Sequence, residues 1–250
     1  MRTRTMAMAA MALALFTSAA AAQDDEDDYY YDDDRYELPR SYVGGELAIA
    51  RPQGEFGNFV NGGFGGGAHY LLRVDRDGWL GLRVDGSILN YGHERQQVLL
   101  SPTIGGRIGV DLTTNNNIAF LGAGPQIGLP TGSFRPYLNG FVGVSYIFTE
   151  SSVGGTSSGY EFASTTNYDD ASFAYGGGAG LYIPVGHGRN PVSIDAGLQY
   201  RHNGQAEYLV EGGITDHPDG SITLHPIRSE TNLWNFHIGV SVGLRGRDRY

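Results

Sequence analysis

The sequence predicts an all-β fold, an antiparallel up-and-down barrel that crosses a membrane on its strands, and three observations predict it. The first is the stretch 233–244. Its even positions are Trp234, Phe236, Ile238, Val240, Val242 and Leu244, and from 235 its odd positions are Asn, His, Gly, Ser and Gly. A strand sends alternate side chains to opposite faces, so one face is wholly apolar. The second observation is the other face, made mostly of Gly and Ser with single polar groups, and repeated that way in several segments. Gly accounts for 39 of the 250 residues, far above the usual ~7%, with no collagen period. Small residues suit a narrow lumen. A soluble carrier with its apolar face inward would instead show frequent charges on the outer one. The third observation is an export signal at 1–22. Arg2 and Arg4 precede an apolar core from Met6 to Phe16, too short to span as a helix, and Ala20-Ala21-Ala22 fits a cleavage site.

Length and composition bound the rest. A chain of 250 residues holds one barrel domain. Cysteine is absent, which removes disulfides, thiol chemistry and a lipidated cysteine. No later stretch approaches ~20 consecutive apolar residues, so a membrane protein of this sequence is a barrel or is anchored some other way; the alternation of barrel strands averages to neutral hydropathy. The net charge is −10. The expected organisation is a signal at 1–22, an acidic periplasmic tail at 23–40 and a barrel at 41–246. Nine acids fall between Asp24 and Glu37, a self-repelling run expected to be disordered.

Alternation places the strands in order. The first, about 42–52, turns Val43, Leu47 and Ile49 outward and Glu46 inward. The second, about 63–74, turns Phe64, Ala68, Tyr70, Leu72 and Val74 outward, with His69 and Arg73 inward. Asp75-Arg76-Asp77-Gly78 is a tight turn. A third strand begins at Trp79, with Leu80, Leu82, Val84 and Ile88 outward and Arg83, Asp85 and Ser87 inward. About 118–129 turns Leu121, Ala123, Ile127 and Leu129 outward and Gln126 inward. About 136–148 turns Leu138, Val142, Val144, Tyr146 and Phe148 outward. The run 149–170, polar and rich in Ser and Gly, reads as a loop. Strands at 171–185 and 192–203 follow, the latter with Asp195, Gln199 and Arg201 inward. A long acidic loop, 204–231, leads to the last strand.

Counting turns settles the strand number. Single-chain bacterial barrels have an even number of strands, short periplasmic turns and longer outer loops. The connections 75–78, 130–134 and 186–191 are short; 53–62, 93–117, 149–170 and 204–231 are long. Long and short alternate if 93–117 is one excursion of extended strands and a loop tip. The count is then eight, with ten as the alternative if 98–112 spans separately.

Four segments carry a family resemblance over about 41–246: Tyr42-Val43-Gly44-Gly45, Gly63-Phe64-Gly65-Gly66-Gly67, Arg135-Pro136-Tyr137-Leu138-Asn139-Gly140 and Tyr175-Gly176-Gly177-Gly178-Ala179-Gly180. In this order of Gly, aromatics and turns the chain resembles the eight-stranded outer-membrane β-barrel family, OmpA/OmpX-like. The resemblance implies an outer-membrane protein of a Gram-negative-type bacterium. Its partners would be outer-membrane lipid and lipopolysaccharide, with periplasmic chaperones and the barrel-assembly machinery during biogenesis. A terminal aromatic is a common assembly signal in that family. Tyr250 stands at that place, behind the charged run 245–249.

The inward charges are the most informative candidates. Glu46, Arg73, Arg83, Asp85, Asp195, Arg201 and Arg245 are expected to form one ion-pair network across the lumen, because an eight-stranded interior is just filled by side chains and unpaired charge there is costly. His69, Gln126, Gln199 and His237 are expected as polar lumen residues. The two histidines carry no carboxylate-ligand spacing, so no metal, cofactor or catalytic residue is expected. Trp79, Tyr146, Phe148, Phe173 and Trp234 should form interfacial girdles. Acidic loops do not favour nucleic acid. The expected role is non-enzymatic: envelope structure, surface interaction or adhesion through the loops. One alternative is a small-conductance, porin-like channel. Another is a lipid-modifying hydrolase, for which Tyr200-Arg201-His202-Asn203-Gly204 invites comparison with outer-membrane lipid A deacylases, although no Ser closely follows His202.

Overall fold

The computed structural model describes residues 38–99, 109–155, 161–186, 188, 190–219 and 221–244. Eight strands close a ring: β1 (Ser41–Pro52), β2 (Gly63–Arg73), β3 (Leu80–Leu99), β4 (Gly109–Gly128), β5 (Arg135–Gly155), β6 (Glu161–Gly186), β7 (Val192–Asn203) and β12 (Leu233–Leu244). The long connection from β7 to β12 holds four short strands, β8 (Gln205–Tyr208), β9 (Ile214–Asp216), β10 (Ile222–Leu224) and β11 (Ile227–Glu230). The first loop carries one helical turn, α1 (Phe56–Phe59).

Every neighbouring pair in the ring is antiparallel. The seam is β1 on β12, in register from Ser41↔Leu244 to Pro52↔Leu233. Closure removes the free edges that lipid could not satisfy. The apolar parity faces out: Leu47, Ile49, Leu121, Leu138, Val142, Phe173 and Ile238 are exposed around the girth. The other parity is buried and polar: Arg83, Asp85, Asp195, Gln199, Arg201 and Asn235. It is an eight-stranded, membrane-spanning β-barrel. Among the described residues no helix is long and apolar enough to cross.

Three turns close one end. In the first, Asp75 accepts backbone N–H bonds from Trp79 at 2.9 Å and Leu80 at 3.0 Å, and Gly78 adopts φ +77°. Desolvation in the turn pushes the Asp75 pKa up, the N–H groups of Leu80 and Trp79 push it down, and the net lies below its ordinary value. At the other end β3 to β6 outrun their neighbours. From Asn90 to Leu99, β3 continues for roughly 30 Å at about 3.4 Å per residue.

Several sequence expectations need correction here. Residues 149–170 are largely strand, not loop: β5 runs to Gly155 and β6 begins at Glu161. The reason is that past the lipid belt neither face has to be apolar: Thr149 and Ser152 are buried polar side chains, so the apolar alternation that marks a strand disappears. Residues 109–112 belong to β4, which excludes a ten-stranded ring; 204–231 holds short strands, and the third strand starts at Leu80. The signal, tail residues 23–37, the tip 100–108 and Arg245 to Tyr250 lie outside the described residues.

Leu121 sits mid-strand, opposite Gly86 and Val144, on the outer face. Leu121→Arg is expected to destabilise the barrel by about 2–4 kcal/mol, the cost of a cation at the bilayer midplane. Urea unfolding in lipid vesicles measures it, and an unchanged midpoint would turn this face away from lipid.

Candidate functional site

The lumen is filled in layers. At the short-turn end the Arg73 guanidinium lies 4.7 Å over the Tyr42 ring. The next layer holds the charges. Arg83 donates from Nε to Asp85 Oδ1 at 2.7 Å and from Nη1 to Tyr182 Oη at 3.0 Å and Gln126 Oε1 at 3.2 Å. It stands 3.8 Å from Glu46 Oε2 and 3.8 Å from Asp195 Oδ2. Tyr137 donates to Asp195 Oδ1 at 2.8 Å. Both histidines belong to this layer. His69 Nδ1 lies 3.6 Å from Glu46 and 3.8 Å from Asp195; His237 Nε2 lies 3.9 Å from each.

Register explains the convergence. Glu46, Gly239 and Asp195 form one row across β1, β12 and β7. Gly239 leaves room between the two carboxylates: a Cβ there would meet Gly45 O at 2.1 Å. The rings are seated the same way. A Cβ on Gly44 would lie 2.2 Å from His69, one on Gly197 2.6 Å from His237, and one on Gly180 2.3 Å from Tyr137. Each ring lies across a glycine of an adjoining strand.

Two of the expected network members stand apart. Arg73 belongs to the Tyr42 layer. Arg201 sits one layer above the charges, 4.0 Å over Phe120, and donates to Ser87 Oγ at 2.9 Å and to Gln199 Oε1 at 3.5 Å. Barrel strands are tilted and staggered, so residues at similar distances along different strands reach different heights. Trp79 is exposed near the short turns. Tyr146, Phe148, Phe173 and Trp234 lie toward the other end, where Tyr146 stacks on Phe148 at 5.4 Å and Trp234 meets Tyr200 at 4.8 Å. His202 packs against Tyr175 on the outer face, ring centroids 4.7 Å apart.

The lumen's upper end was not foreseen. Phe56, Tyr91 and Tyr208 meet edge to face at 5.2–6.3 Å, over Ala48, Ala50, Leu89, Ile118, Ile147 and Leu233. This apolar plug closes the mouth. Leu89, Ile118, Ile147 and Leu233 break the polar parity of their strands, and that break was the available signal.

Above the plug the β7–β12 connection forms a strap. On one side Tyr168 donates to Glu207, and Asp170 accepts the Glu207 N–H at 2.8 Å. The Glu207 bond pushes the Tyr168 pKa up to about 12. On the other side Tyr91 donates to Leu209 O at 3.1 Å, His93 N–H to Glu211 at 3.1 Å, and Gly212 N–H to Glu94 at 3.2 Å. Strap and strand wall flank an open-sided cavity of about 320 Å³. Thr114, Asn116, Thr149, Ser151 and Asn167 line one wall, and Leu209, Val210, Ile214 and Ile222 another, with Glu94 and Asp216 also lining it.

No protein-family model matches the chain, and no curated protein matches it. Solved structures similar to it include the following three. Neisserial surface protein A is 17% identical over 82% of this chain and 97% of that one, with a TM-score of 0.47. Ail, the attachment invasion locus protein of Yersinia pestis, is 17% identical over 82% and 98%, TM-score 0.44. The outer membrane protein OprG from Pseudomonas aeruginosa is 13% identical over 82% and 96%, TM-score 0.42.

Proposed function

We propose that this chain is an integral outer-membrane protein that acts by binding at its outer surface and is not an enzyme. One observation carries the reading: the lumen is packed, while four strands and the strap build a cavity of about 320 Å³ above the membrane belt. The short-turn end faces the periplasm and the wall faces outward. Residues 1–22 are the cleaved signal, and 23–40 the periplasmic tail. Chaperones and the barrel-assembly machinery deliver the chain, and lipid and lipopolysaccharide surround it. Hydroxyl and amide groups opposite aliphatic side chains suit an uncharged or basic surface, and Glu94 and Asp216 repel an anionic one.

The porin-like reading needs a water path, and two layers stand across it: the apolar plug and the Arg83 layer. The hydrolase reading needs a positioned nucleophile, and His202 is placed against an aromatic ring at the girdle. Two measurements test the proposal. In planar bilayers the reconstituted protein is expected to give no unitary conductance, and a steady conductance would favour a pore. Cells displaying the protein should bind arrays of neutral glycans or basic peptides. Thr114→Trp with Ser151→Trp, which fill the cavity, should weaken that binding at least tenfold while the folded, heat-modifiable band persists. Unchanged binding would sink the cavity's role.

A further inference from the structure

Beyond the surface role, the charged layer of the lumen has the makings of a metal site. Glu46 Oε2, His69 Nδ1 and Asp195 Oδ2 lie within 4.8 Å of one another, contributed by β1, β2 and β7. Among the described residues all three are buried side-chain atoms with no hydrogen-bond partner. The side chains of His69 and Asp195 are fully buried, and that of Glu46 is 4% exposed. Unsatisfied polar atoms at such depth are costly, and these three point at one place.

The separations argue for an ion between them. His69 Nδ1 is 3.6 Å from one carboxylate and 3.8 Å from the other. That is too long for an N–H···O bond, which falls at about 2.7–3.2 Å. Zinc binds His nitrogen at about 2.0–2.1 Å and carboxylate oxygen at about 2.0–2.2 Å, so a tetrahedral site sets its ligand atoms roughly 3.4 Å apart. The two His69–carboxylate distances exceed that by a few tenths of an ångström, a change side-chain torsions absorb.

The charges balance too. Asp85 holds a direct guanidinium bond to Arg83 at 2.7 Å. Glu46 and Asp195 have their nearest guanidinium nitrogens at 3.8 Å, outside hydrogen-bond range. One divalent cation neutralises these two carboxylates. The supporting contacts are those of a ligand shell. His69 Nε2 meets Ser241 Oγ at 3.3 Å, which leaves Nδ1 facing the carboxylates. Tyr137 donates to the other Asp195 oxygen at 2.8 Å. His237 Nε2, 3.9 Å from both acids, is held by Tyr137 Oη at 3.2 Å and flanks the site. Access lies at the short-turn end, where a small cavity is lined by Tyr42, Tyr137, Tyr182, Ser193 and Ser241.

We propose that Glu46, His69 and Asp195 bind one first-row divalent transition-metal ion, zinc or a relative, inside the barrel. Mixed imidazole and carboxylate donors select such ions over calcium and magnesium, which take oxygen shells. The site ties three strands at one level, so its effect is on the barrel's stability.

The test uses the full chain without an affinity tag, refolded from urea into detergent with zinc or with cobalt(II), then passed through gel filtration. Elemental analysis should find about one ion per folded barrel. The cobalt form should show visible ligand-field bands of a nitrogen and oxygen shell. His69→Gln and Asp195→Asn should each lower the bound ion at least tenfold while the fast-migrating folded band remains. Zinc retained at full stoichiometry in both variants would assign it to another place, the acidic tail included, and overturn the proposal. If neither variant folds, the wild-type barrel decides alone. A folded barrel that leaves the column without the ion, although it closed in its presence, would equally overturn it.

Discussion

Arg83→Met is expected to destabilise the barrel by about 3–5 kcal/mol, the usual cost of removing one partner from a buried ion pair. The guanidinium is 1% exposed and bonds Asp85, Gln126 and Tyr182 at once. It is also the cation nearest to Glu46 and Asp195. Methionine replaces much of its volume, so the loss is of charge and hydrogen bonds rather than of packing. Three carboxylates would then face one another with no neighbouring guanidinium in their layer. Water reaches them only past Tyr42 and Arg73 below or the apolar plug above. A surface pair supplies the control. Arg95 donates to Asp111 on the wall above the membrane, and its side chain is 59% exposed. Arg95→Met should cost under about 1 kcal/mol, because solvent screens that pair. The measurement is the urea midpoint of the folded band in lipid vesicles. Equal shifts for the two variants would mean that the lumen is wet at Arg83 and the layer is not closed. A divalent ion in the layer would also change the outcome in a defined direction. It would relieve the carboxylates, so added zinc should raise the Arg83→Met midpoint more than the wild-type one.

The staves of this barrel were legible because lipid enforces a strict rule. Each spanning strand must be apolar on one face, and alternation along 42–52, 63–74 and 233–244 recorded it directly. Where lipid ends, the rule ends. The segment Thr149 to Gly154 pairs across to 161–168 as sheet, with register shifts at Thr149/Glu150 and Val153/Gly154, yet its Ser, Thr and Gly carry no period, because neither face has to be apolar there. The site was legible by residue type and not by place. Parity showed that Glu46, His69, Arg83, Asp195 and His237 point inward. Their positions along the chain carry no metal or catalytic spacing, since the ring joins residues that are 172 apart in sequence, such as His69 and Ser241. Height was the harder quantity. Arg201 has the same parity as Asp195 but sits among Phe120, Ser87 and Gln199. Only the stagger between strands reveals that separation. The plug was hidden for a related reason: it draws on β1, α1, β3, β4, β5, β8 and β12 at once, and each contributes only one or two apolar residues.

Gly124→Ala is expected to be among the most damaging single methyl additions in the barrel wall, although it adds one carbon. A Cβ at 124 would lie 2.0 Å from Gly140 O, and 2.8 Å from Gly140 C and Phe141 Cα. These are backbone atoms of the adjoining strand, so no rotamer change relieves the clash. The ladder itself has already yielded here. Register between β4 and β5 runs to Ala123↔Val142 and resumes at Gln126↔Asn139, with Pro125, which has no N–H to donate, in the gap. The strands approach closely at this level because Phe141 must fill the lumen against Phe120, ring centroids 5.3 Å apart. Alanine would push β5 away and loosen that pair. Overpacking of this kind typically costs about 1–3 kcal/mol and occasionally more, and in an eight-stranded ring the displacement reaches the seam. Gly86→Ala supplies the comparison. Gly86 has the lipid-facing parity of β3, and a Cβ there would find its nearest neighbours at 3.9 and 4.0 Å, ordinary contact distances. Its expected effect is within about 0.5 kcal/mol. Refolding both variants into detergent, and reading the fraction of fast-migrating band, separates the two positions. Equal yields would show that β4 and β5 can part at Pro125 without opening the barrel. The lumen's high glycine content would then reflect something other than the space its walls leave.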